Sequence, residues 1–324
     1  MITHDIFSIQ DEQDFKEAAL ATFAYQFENN VVYRSYCDLL YKHPGDIQVV
    51  EDIPFLPIQF FKSHRVISTQ ASSFTNFTSS GTTGTSSTHF VTDINLYEKS
   101  YLSAFRHFYD SVSDYAVLAL LPSYLEREGS SLIYMVDDLI AKSNHPKSGF
   151  YLHDLDSLAN TLNELEKQGQ QTLLVGVSFA LLDLIEEKSF NLSHTTIMET
   201  GGMKGRRKEL TRAELHEQLK QGFGVKSIHS EYGMTELLSQ AYSKGNGIFK
   251  CPPWMRVVAR ETDDPLSIKQ DNTTGGLNVV DLANYHSCSF IATQDLCKIH
   301  TKNTFEVLGR FDNADVRGCN LMVL

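Results

Sequence analysis

The sequence predicts an α/β fold: a large domain with a mostly parallel sheet, followed by a small antiparallel β subdomain. Between residues 115 and 228, short and almost continuous apolar runs alternate with helical patterns, which is typical of a parallel sheet covered by helices on both faces. From Gly245 onward the runs become short and alternating, which predicts antiparallel strands. We therefore expect an α/β core at 1–244, a β-rich subdomain that closes the site at 245–311 and a short tail at 312–324.

Hydrophobic periodicity defines the individual elements. Residues 11–29 carry apolar side chains four positions apart, from Phe15 to Phe27, which predicts an amphipathic helix. Residues 53–62 contain prolines among apolar side chains, which predicts an ordered crossing segment. The further predicted elements are a strand at 115–121, a helix at 130–142, a strand at 172–177, a helix at 179–187, a strand at 195–199, a helix at 208–221 that Gly222 ends, a strand beginning at 225, and antiparallel runs at 254–259, 276–282, 289–293 and 298–308.

Composition and charge exclude several classes of function. The chain has 324 residues, of which 42% are hydrophobic, so it can bury a sizeable core. A formal net charge of -12 disfavours non-specific binding to nucleic acid and to anionic membranes. No apolar run approaches the roughly 18 residues of a membrane span, and the amino terminus lacks the pattern of a signal peptide. We therefore expect a soluble protein with neither nucleic acid nor a membrane as its partner.

The five cysteines indicate reduced thiols. Their number is odd and they include no C-x-x-C pair, which favours a cytoplasmic protein over a disulfide framework or a zinc site. Cys37 lies in a helical pattern and Cys251 precedes two prolines and a tryptophan. We interpret both as packing residues.

Residues 77–88 are a stretch of small hydroxylated residues and glycines around which the chain is organised. Glycines allow a backbone to turn several N–H and O–H donors toward one anion. No Lys follows Gly84, which excludes the phosphate loop of P-loop NTPases. The composition is equally compatible with a flexible linker. The candidate phosphate-binding residues are Ser79, Ser80, Gly81, Thr82, Thr83 and Gly84.

Three further stretches carry groups suited to a nucleotide. Residues 230–236 follow a predicted strand and precede an apolar stretch that predicts the start of a helix. In this stretch Glu236 could hold magnesium and Thr235 could donate to a phosphoryl oxygen. A helix cap is the alternative role for these two residues. Asp295 could bind ribose hydroxyls, and Arg310 has a guanidinium suited to ribose or phosphate oxygens. An isolated Asp or Arg is also common on a solvated surface.

Together, and in this order, the four stretches resemble the adenylate-forming superfamily of acyl- and aryl-CoA ligases, luciferases and peptide adenylation domains. The matching segments are 80–84, 232–236, Asp295 and 309–312. A closer resemblance is to the acyl-protein synthetase family, the fatty-acid-activating component of the bacterial bioluminescence reductase complex, near the phenylacetate-CoA ligases. It depends on the segments 54–62, 200–205 and 309–320.

The resemblance implies a fold, cofactors and a reaction. The fold is the large N-terminal-type domain of the superfamily, with ATP and Mg²⁺ bound and the metal on Glu236. Within the segments 200–205 and 232–236, the candidate nucleotide-binding residues are Gly201, Gly202, Tyr232 and Gly233. A carboxylic acid, favoured to be a fatty acid, becomes an acyl-adenylate. The acyl group then passes to Cys319 as a thioester and on to a reductase partner. Arg317 favours the thiolate form of Cys319.

The sequence also departs from the superfamily pattern. Ser86 and Ser87 stand where many members have Pro-Lys after the phosphate loop. The mobile carboxyl-terminal domain, which supplies a catalytic lysine, is expected to be missing. Lys204 is our candidate for a replacement, with a surface position as its alternative role. Otherwise magnesium and the donors of the phosphate loop provide the rate alone.

Other functions stay open on the sequence alone. The acyl group could pass to coenzyme A, or the chain could be a non-catalytic subunit that binds acyl groups or nucleotides. A third alternative is an acyl hydrolase, because Ser178 lies near a nucleophile-elbow pattern and Asp295 and His300 follow in the required order. His229 could face the acyl pocket or the thiol, although such a histidine is more often buried and hydrogen-bonded.

Overall fold

A computed structural model gives the structure of the protein and describes residues 5–69, 74–79, 86–122, 128–201, 210–269 and 272–310. Its α-helices are α1 (Glu12–Asn29), α2 (Val31–Leu39), α3 (Phe60–Ser63), α4 (Ile94–Tyr109), α5 (Ser131–Ser143), α6 (Leu155–Gln168), α7 (Ser178–Glu187) and α8 (Arg212–Phe223). Its strands are β1 (Leu56–Pro57), β2 (Thr75–Thr78), β3 (Thr88–Val91), β4 (Ala116–Leu120), β5 (Gly149–Phe150), β6 (Thr172–Gly176), β7 (Thr195–Glu199), β8 (His229–Tyr232), β9 (Ala241–Ser243), β10 (Ile248–Lys250), β11 (Met255–Arg260), β12 (Thr274–Asp281), β13 (Phe290–Thr301) and β14 (Thr304–Arg310).

One 12-stranded sheet carries almost all of these strands. Strands β8, β7, β6, β4 and β5 are neighbours in this order and run parallel. Beyond β8 the same sheet continues antiparallel through β9, β10, β14, β13, β12 and β11. The predicted α/β class, with a parallel part and an antiparallel part, is confirmed. The antiparallel strands extend the main sheet, and β2 and β3 form a separate two-stranded sheet.

Helices cover both faces of the parallel strands, as the apolar runs predict. Leu118 and Leu120 of β4 pack in one hydrophobic cluster with α6, α7 and α8. Ala119, between them, packs in the other cluster with α4 and α5. Alternate side chains of a strand point to opposite faces, so a strand buried on both sides needs apolar residues at every position. Among the described residues, no helix has the length and apolar character required to cross a bilayer.

Helix α1 agrees with its predicted bounds. Asp11 is its N-cap and accepts hydrogen bonds from the backbone N–H groups of Gln13 and Asp14, which satisfies donors that a helix start leaves unpaired. The side chains from Phe15 to Phe27 that were predicted to pack are buried.

Helix α8 ends later than predicted. It continues through Gly222 to Phe223, and Gly224 ends it with φ +68°. A Cβ atom at position 222 would lie 2.5 Å from Ile185 of α7, so this glycine permits close packing of two helices. The described part of the helix begins at Arg212, after the N-cap Thr211, and residues 202–209 lie outside the described ranges.

Two predictions around residues 225–240 are wrong. The strand predicted to begin at 225 begins at His229, so Ser230 to Tyr232 belong to the strand itself. The helix predicted after Glu236 does not form. The carboxylate of Asp281 instead accepts hydrogen bonds from the backbone N–H groups of Leu238 and Ser239, at 2.8 and 2.9 Å, and the chain then enters β9.

Candidate functional site

The paired strands β2 and β3 flank the predicted phosphate loop in sequence. Thr78 pairs with Thr88 at one end of this pair. The backbone N–H of Ser79 donates to the carbonyl of Ser87 at 3.1 Å, and the N–H of Ser87 donates to the Ser79 hydroxyl at 2.9 Å. These bonds close the base of the loop. The remaining predicted phosphate-binding residues, Ser80, Gly81, Thr82, Thr83 and Gly84, lie outside the described residues.

Glu236 lies beside the base of this loop. Its side chain is buried, and burial raises the pKa of its carboxyl while the Ser87 hydroxyl opposes that rise. The positive charges of Arg310 and Lys62 also lower the pKa of Glu236. A buried carboxylate beside a loop hydroxyl is thus within the electrostatic influence of two cationic side chains, and Lys62 is the one that the sequence analysis missed.

The turn at Thr235 and Glu236 is fixed by two side chains from distant segments. Nδ1 of His89 lies 2.9 Å from the carbonyl oxygen of Thr235, and Nδ2 of Asn284 donates to the carbonyl of Glu236 at 2.7 Å. Burial lowers the pKa of His89 to about 4, although its bond to Thr235 opposes this. The ring is therefore neutral at neutral pH, and its Nδ1–H donates to Thr235. The segment predicted to cross toward the loop reaches this contact, because the ring of Phe61 packs edge-on against His89 at 5.6 Å.

Asp295 connects two of the predicted motifs. The Tyr232 hydroxyl donates to Oδ2 of Asp295 at 2.8 Å, and Nε of Arg310 lies 3.1 Å from Oδ1. Asp295 and Arg310 are partners in the β13–β14 register. The Asp295 side chain is buried and about half of the Arg310 side chain is exposed, at 54%. The guanidinium therefore has free N–H donors at the surface of the site.

A network around Glu199 fixes the predicted nucleotide residue Gly201. The N–H of Gly201 donates to Oε2 of Glu199 at 2.7 Å, and Nη1 of Arg212 donates to Oε1 at 3.0 Å. Nε2 of His216 lies 3.5 Å from the same Oε1. Burial opposes ionisation of Glu199, but the contacts with His216, Arg212 and Gly201 lower its pKa to about 2. Sequence reasoning missed this network, since an isolated acid carries no signal of burial.

A cavity of about 970 Å³ opens beside this network. Its lining includes Gly201, Arg212 and His216 from the β7–α8 side. From the other side it is lined by Val307 and Gly309, the latter next to Arg310. The cavity therefore lies between two of the predicted nucleotide motifs and has the size of a small-molecule site.

The opposite face of β8 carries a different set of groups. Ser230 faces α8, with its hydroxyl 3.4 Å from His216, whereas His229 faces α4, with Nδ1 3.1 Å from the Tyr109 hydroxyl. Burial lowers the pKa of His229 to about 4. Tyr232 and Gly233, where β8 ends, thus lie between two polar regions on opposite faces of the sheet.

The hydrolase alternative receives no support from the geometry. The Ser178 hydroxyl donates to Glu199 at 3.4 Å, while His300 pairs with Glu306 at 2.7 Å. Asp295 is engaged with Tyr232 and Arg310. The three residues of the supposed triad therefore have separate partners, and Ser178 is the first residue of α7.

Several predicted residues fall outside the described ranges. These are Gly202, Lys204 and Cys319, together with the loop residues named above. Within the described ranges there is no group of three or more His, Cys, Asp or Glu side chains placed to hold a metal ion.

Comparison with known proteins bears on the family and the fold. Residues 5–102 match the family model described as acyl-protein synthetase, LuxE. No curated protein matches the chain in sequence. ATP-bound MatB from Rhodopseudomonas palustris superposes with a TM-score of 0.55 at 17% identity, over 75% of this chain and 49% of MatB. This chain therefore spans about half the length of MatB.

2-Hydroxyisobutyryl-CoA ligase superposes over more of the chain. Its complex with R3-HIB-AMP gives a TM-score of 0.66 at 10% identity, over 95% of this chain and 69% of the ligase. Its open conformation with 2-HIB-AMP and CoA gives 0.63 at 12% identity, over 96% and 73%. The resemblance predicted from the sequence is confirmed: the chain has the fold of the adenylate-forming enzymes, and its residues 5–102 match the model of the acyl-protein synthetase family.

Proposed function

We propose that this protein joins a carboxylic acid to the α-phosphate of ATP and then transfers the acyl group from the adenylate to a thiol. One observation carries the proposal. Arg310 lies 3.1 Å from Asp295, and its charge also acts on Glu236. A single guanidinium therefore connects the predicted ribose-binding acid with the predicted phosphate and metal residue.

The cavity beside Gly201 is our candidate for the base pocket of ATP. Gly201 and Gly309 line it from two sides, and Gly309 is adjacent to Arg310. The carboxylate of Asp295 accepts one hydrogen bond, from Tyr232, and forms an ion pair with Arg310, and a carboxylate has about four acceptor sites. It can therefore also accept from the ribose hydroxyls.

Adenylation requires positive charge and fixed donors at the phosphoryl oxygens, because two anions must meet. A carboxylate oxygen of the acid attacks the α-phosphorus, a new P–O bond forms, and the bond to pyrophosphate breaks. We assign the phosphate contacts to the loop of residues 80–84, to Thr235 and to the charges of Arg310 and Lys62. The fixed position of Thr235, held by His89, supports this assignment.

Glu236 fits the role of a magnesium ligand. Mg²⁺ in nucleotide sites is commonly held by one or two carboxylates together with substrate phosphates, so a single buried carboxylate beside the loop suffices. When bound, Mg²⁺ would spread the negative charge of the phosphates.

For the thiol we propose Cys319, followed by transfer to a partner protein such as a reductase. The four described cysteines are unsuitable because all are buried. Burial raises the pKa of Cys37, Cys251 and Cys297 to about 12 and that of Cys288 higher still, and the thiol form is a poor nucleophile. The thiolate of Cys319 would attack the acyl carbon, forming a C–S bond and releasing AMP.

Intact-protein mass spectrometry tests the proposal. The protein is incubated with ATP, Mg²⁺ and a panel of fatty and other carboxylic acids, and wild type is compared with Cys319→Ser. We expect an acyl adduct on wild type that neutral hydroxylamine removes, and none on the variant. Cys297→Ser, which removes a buried thiol, is the matched control and should keep the adduct.

The same samples separate the alternatives. Acid-dependent pyrophosphate release without an adduct would move the acceptor to coenzyme A or to an external protein thiol. Binding of ATP without pyrophosphate release from any acid would contradict adenylation and leave a non-catalytic binding subunit.

Asp295→Ala should raise the KM for ATP about ten- to a hundredfold, because hydrogen bonds to a charged group are worth about 1.5–3 kcal/mol. ATP–pyrophosphate exchange at varied ATP measures this effect. Tyr232→Phe removes one hydrogen bond of Asp295 while leaving its carboxylate, and should raise the KM only a few-fold. Equal effects of the two variants would mean that Asp295 acts only by anchoring Tyr232.

A further inference from the structure

Glu231 presents its carboxyl group on the α4 face of the sheet. Glu231 of β8 pairs directly with Tyr242 of β9 in the antiparallel register, so the two side chains share one face. His229, two residues earlier, is on the same face. Tyr109 of α4 covers this face, at 3.1 Å from His229 and with its ring 5.4 Å from that of Tyr242.

Within the described part of the chain, the Glu231 carboxyl and the Tyr242 hydroxyl form no hydrogen bond. His229 uses only Nδ1. Three polar groups of adjacent strands therefore have unused hydrogen-bonding capacity. Glu231 and His229 are only partly buried, and none of the three groups is among the buried side-chain atoms that lack a partner in the described part of the chain. Solvent or a ligand can therefore reach them.

These groups are neutral near pH 7. Burial, and to a smaller extent the negative charge of Glu199, raise the pKa of Glu231 to about 8. Burial lowers the pKa of His229 to about 4 and keeps that of Tyr242 well above its usual value. A protonated carboxyl and a phenol each donate and accept, and a neutral imidazole nitrogen accepts or donates.

The Glu231 carboxyl also lies next to the reacting end of the site. A Cβ atom at position 233 would clash with Oε1 of Glu231, so the carboxyl rests against Gly233. Tyr232, between them in sequence, donates to Asp295 on the nucleotide side. A molecule on the α4 face that contacts Glu231 therefore also lies close to the 232–236 motif.

We propose that Glu231, His229 and Tyr242 form a polar subsite for the acid, and that the acid carries a hydroxyl group near its carboxyl end. The inference rests on the proposed adenylation. An unsubstituted hydrocarbon chain would leave the three groups unpaired. A site that hydrogen-bonds a substrate hydroxyl discriminates strongly against an analogue that lacks the hydroxyl. An apolar pocket discriminates much more weakly against a ligand that differs only in size.

Matched acids test the subsite. Each acid of the panel is paired with its 2-hydroxy and 3-hydroxy forms of equal chain length, and ATP–pyrophosphate exchange gives kcat/KM. Wild type should prefer one hydroxylated form by about a hundredfold. Glu231→Leu should abolish the preference. Its kcat/KM for the hydroxy acid should fall, whereas its kcat/KM for the unsubstituted acid should stay the same or rise. Glu231→Gln, which keeps a neutral donor and acceptor, should retain most of it.

The pH profile provides a second readout. Above about pH 8 the ionised Glu231 places a charge in the subsite, so kcat/KM of wild type for the hydroxy acid should fall, whereas Glu231→Gln should show no such fall. The other groups that face Glu231 are His229 from β8, Tyr242 from β9, and Tyr97 and Tyr109 from α4, with Lys244 5.0 Å from the Tyr109 ring. Glu199 of β7 lies on the α8 face, and its charge acts on Glu231 through the sheet. Between pH 6 and 9 Glu199 stays ionised, and His229 and the three tyrosines stay neutral.

Calorimetric measurement of acid binding in the absence of ATP tests the subsite independently of the proposed adenylation reaction. If no acid supports exchange, the proposed function fails, and tighter binding of a hydroxy acid to wild type than to Glu231→Leu still establishes the subsite. Equal kcat/KM for hydroxylated and unsubstituted acids in wild type, or an unchanged preference in Glu231→Leu, would overturn it.

Discussion

Replacing Asp281 with Ala should lower the free energy of unfolding by about 4 kcal/mol. The carboxylate is fully buried and accepts hydrogen bonds from the N–H groups of Leu238 and Ser239, at 2.8 and 2.9 Å. It also accepts from the Ser239 hydroxyl at 2.6 Å and from the N–H of Ala283 at 3.1 Å. Alanine leaves several donors buried without an acceptor, and each such group costs about 1–3 kcal/mol.

Urea-induced unfolding measures this loss of unfolding free energy, and the m-value of the variant should equal that of wild type. Asp281→Asn retains a carbonyl acceptor and should lose roughly half as much. Asp264→Ala is the matched control, because Asp264 accepts the same kinds of bond, from the Leu266 N–H and the Ser267 hydroxyl, at an exposed position. Its effect should stay below about 1 kcal/mol. Equal losses at the two positions would mean that burial does not determine the cost.

Asp281 also fixes the segment that follows the 232–236 motif. With the acceptor gone, the chain after Glu236 loses the bonds that hold it. Asp281→Asn, the milder variant, should therefore lower the rate of ATP–pyrophosphate exchange under conditions where it is still folded. On this expectation, stability and activity are coupled through one side chain that has no place in any sequence motif.

The sequence predicted the parts of the fold that depend on local pattern. The buried strands β4, β6 and β7 are runs of apolar residues, and the periodicity of α1 continues over its whole length. Strand β8 was misplaced because its sequence, His-Ser-Glu-Tyr, is polar. A strand that presents functional groups on both faces does not have the apolar pattern by which strands are recognised.

The candidate site was predictable to the extent that it lies in contiguous motifs. Tyr232, Asp295 and Arg310 were named from sequence and are in contact in the structure. Glu199 and Asp281 were not named, since a single acidic residue in a sequence is usually a solvated surface group. Their burial follows from the topology of the sheet, which brings together residues far apart in the chain.

Glu199→Gln should lower the free energy of unfolding by about 3 kcal/mol at pH 7. The folded state lowers the pKa of Glu199 from 4.5 to about 2, and one pKa unit corresponds to about 1.4 kcal/mol. Because the folded pKa is lowered, the stabilisation is present above pH 4.5 and is lost as the pH falls toward 2. The difference between wild type and variant should therefore shrink over this range.

Unfolding by urea at several pH values between 3 and 7 checks the sign. Glu164→Gln breaks an exposed ion pair with Lys147 and should have a much smaller effect at every pH. If the free energy of unfolding of Glu199→Gln is lower than that of wild type by the same amount at pH 3 and pH 7, the loss comes from packing rather than from ionisation. The variant also removes a charge that raises the pKa of Glu231. If ionisation of Glu231 causes the fall of kcat/KM above about pH 8, that fall should begin at a lower pH in Glu199→Gln. One substitution on the nucleotide side of the sheet would then change both the stability of the protein and the pH dependence of the acid subsite.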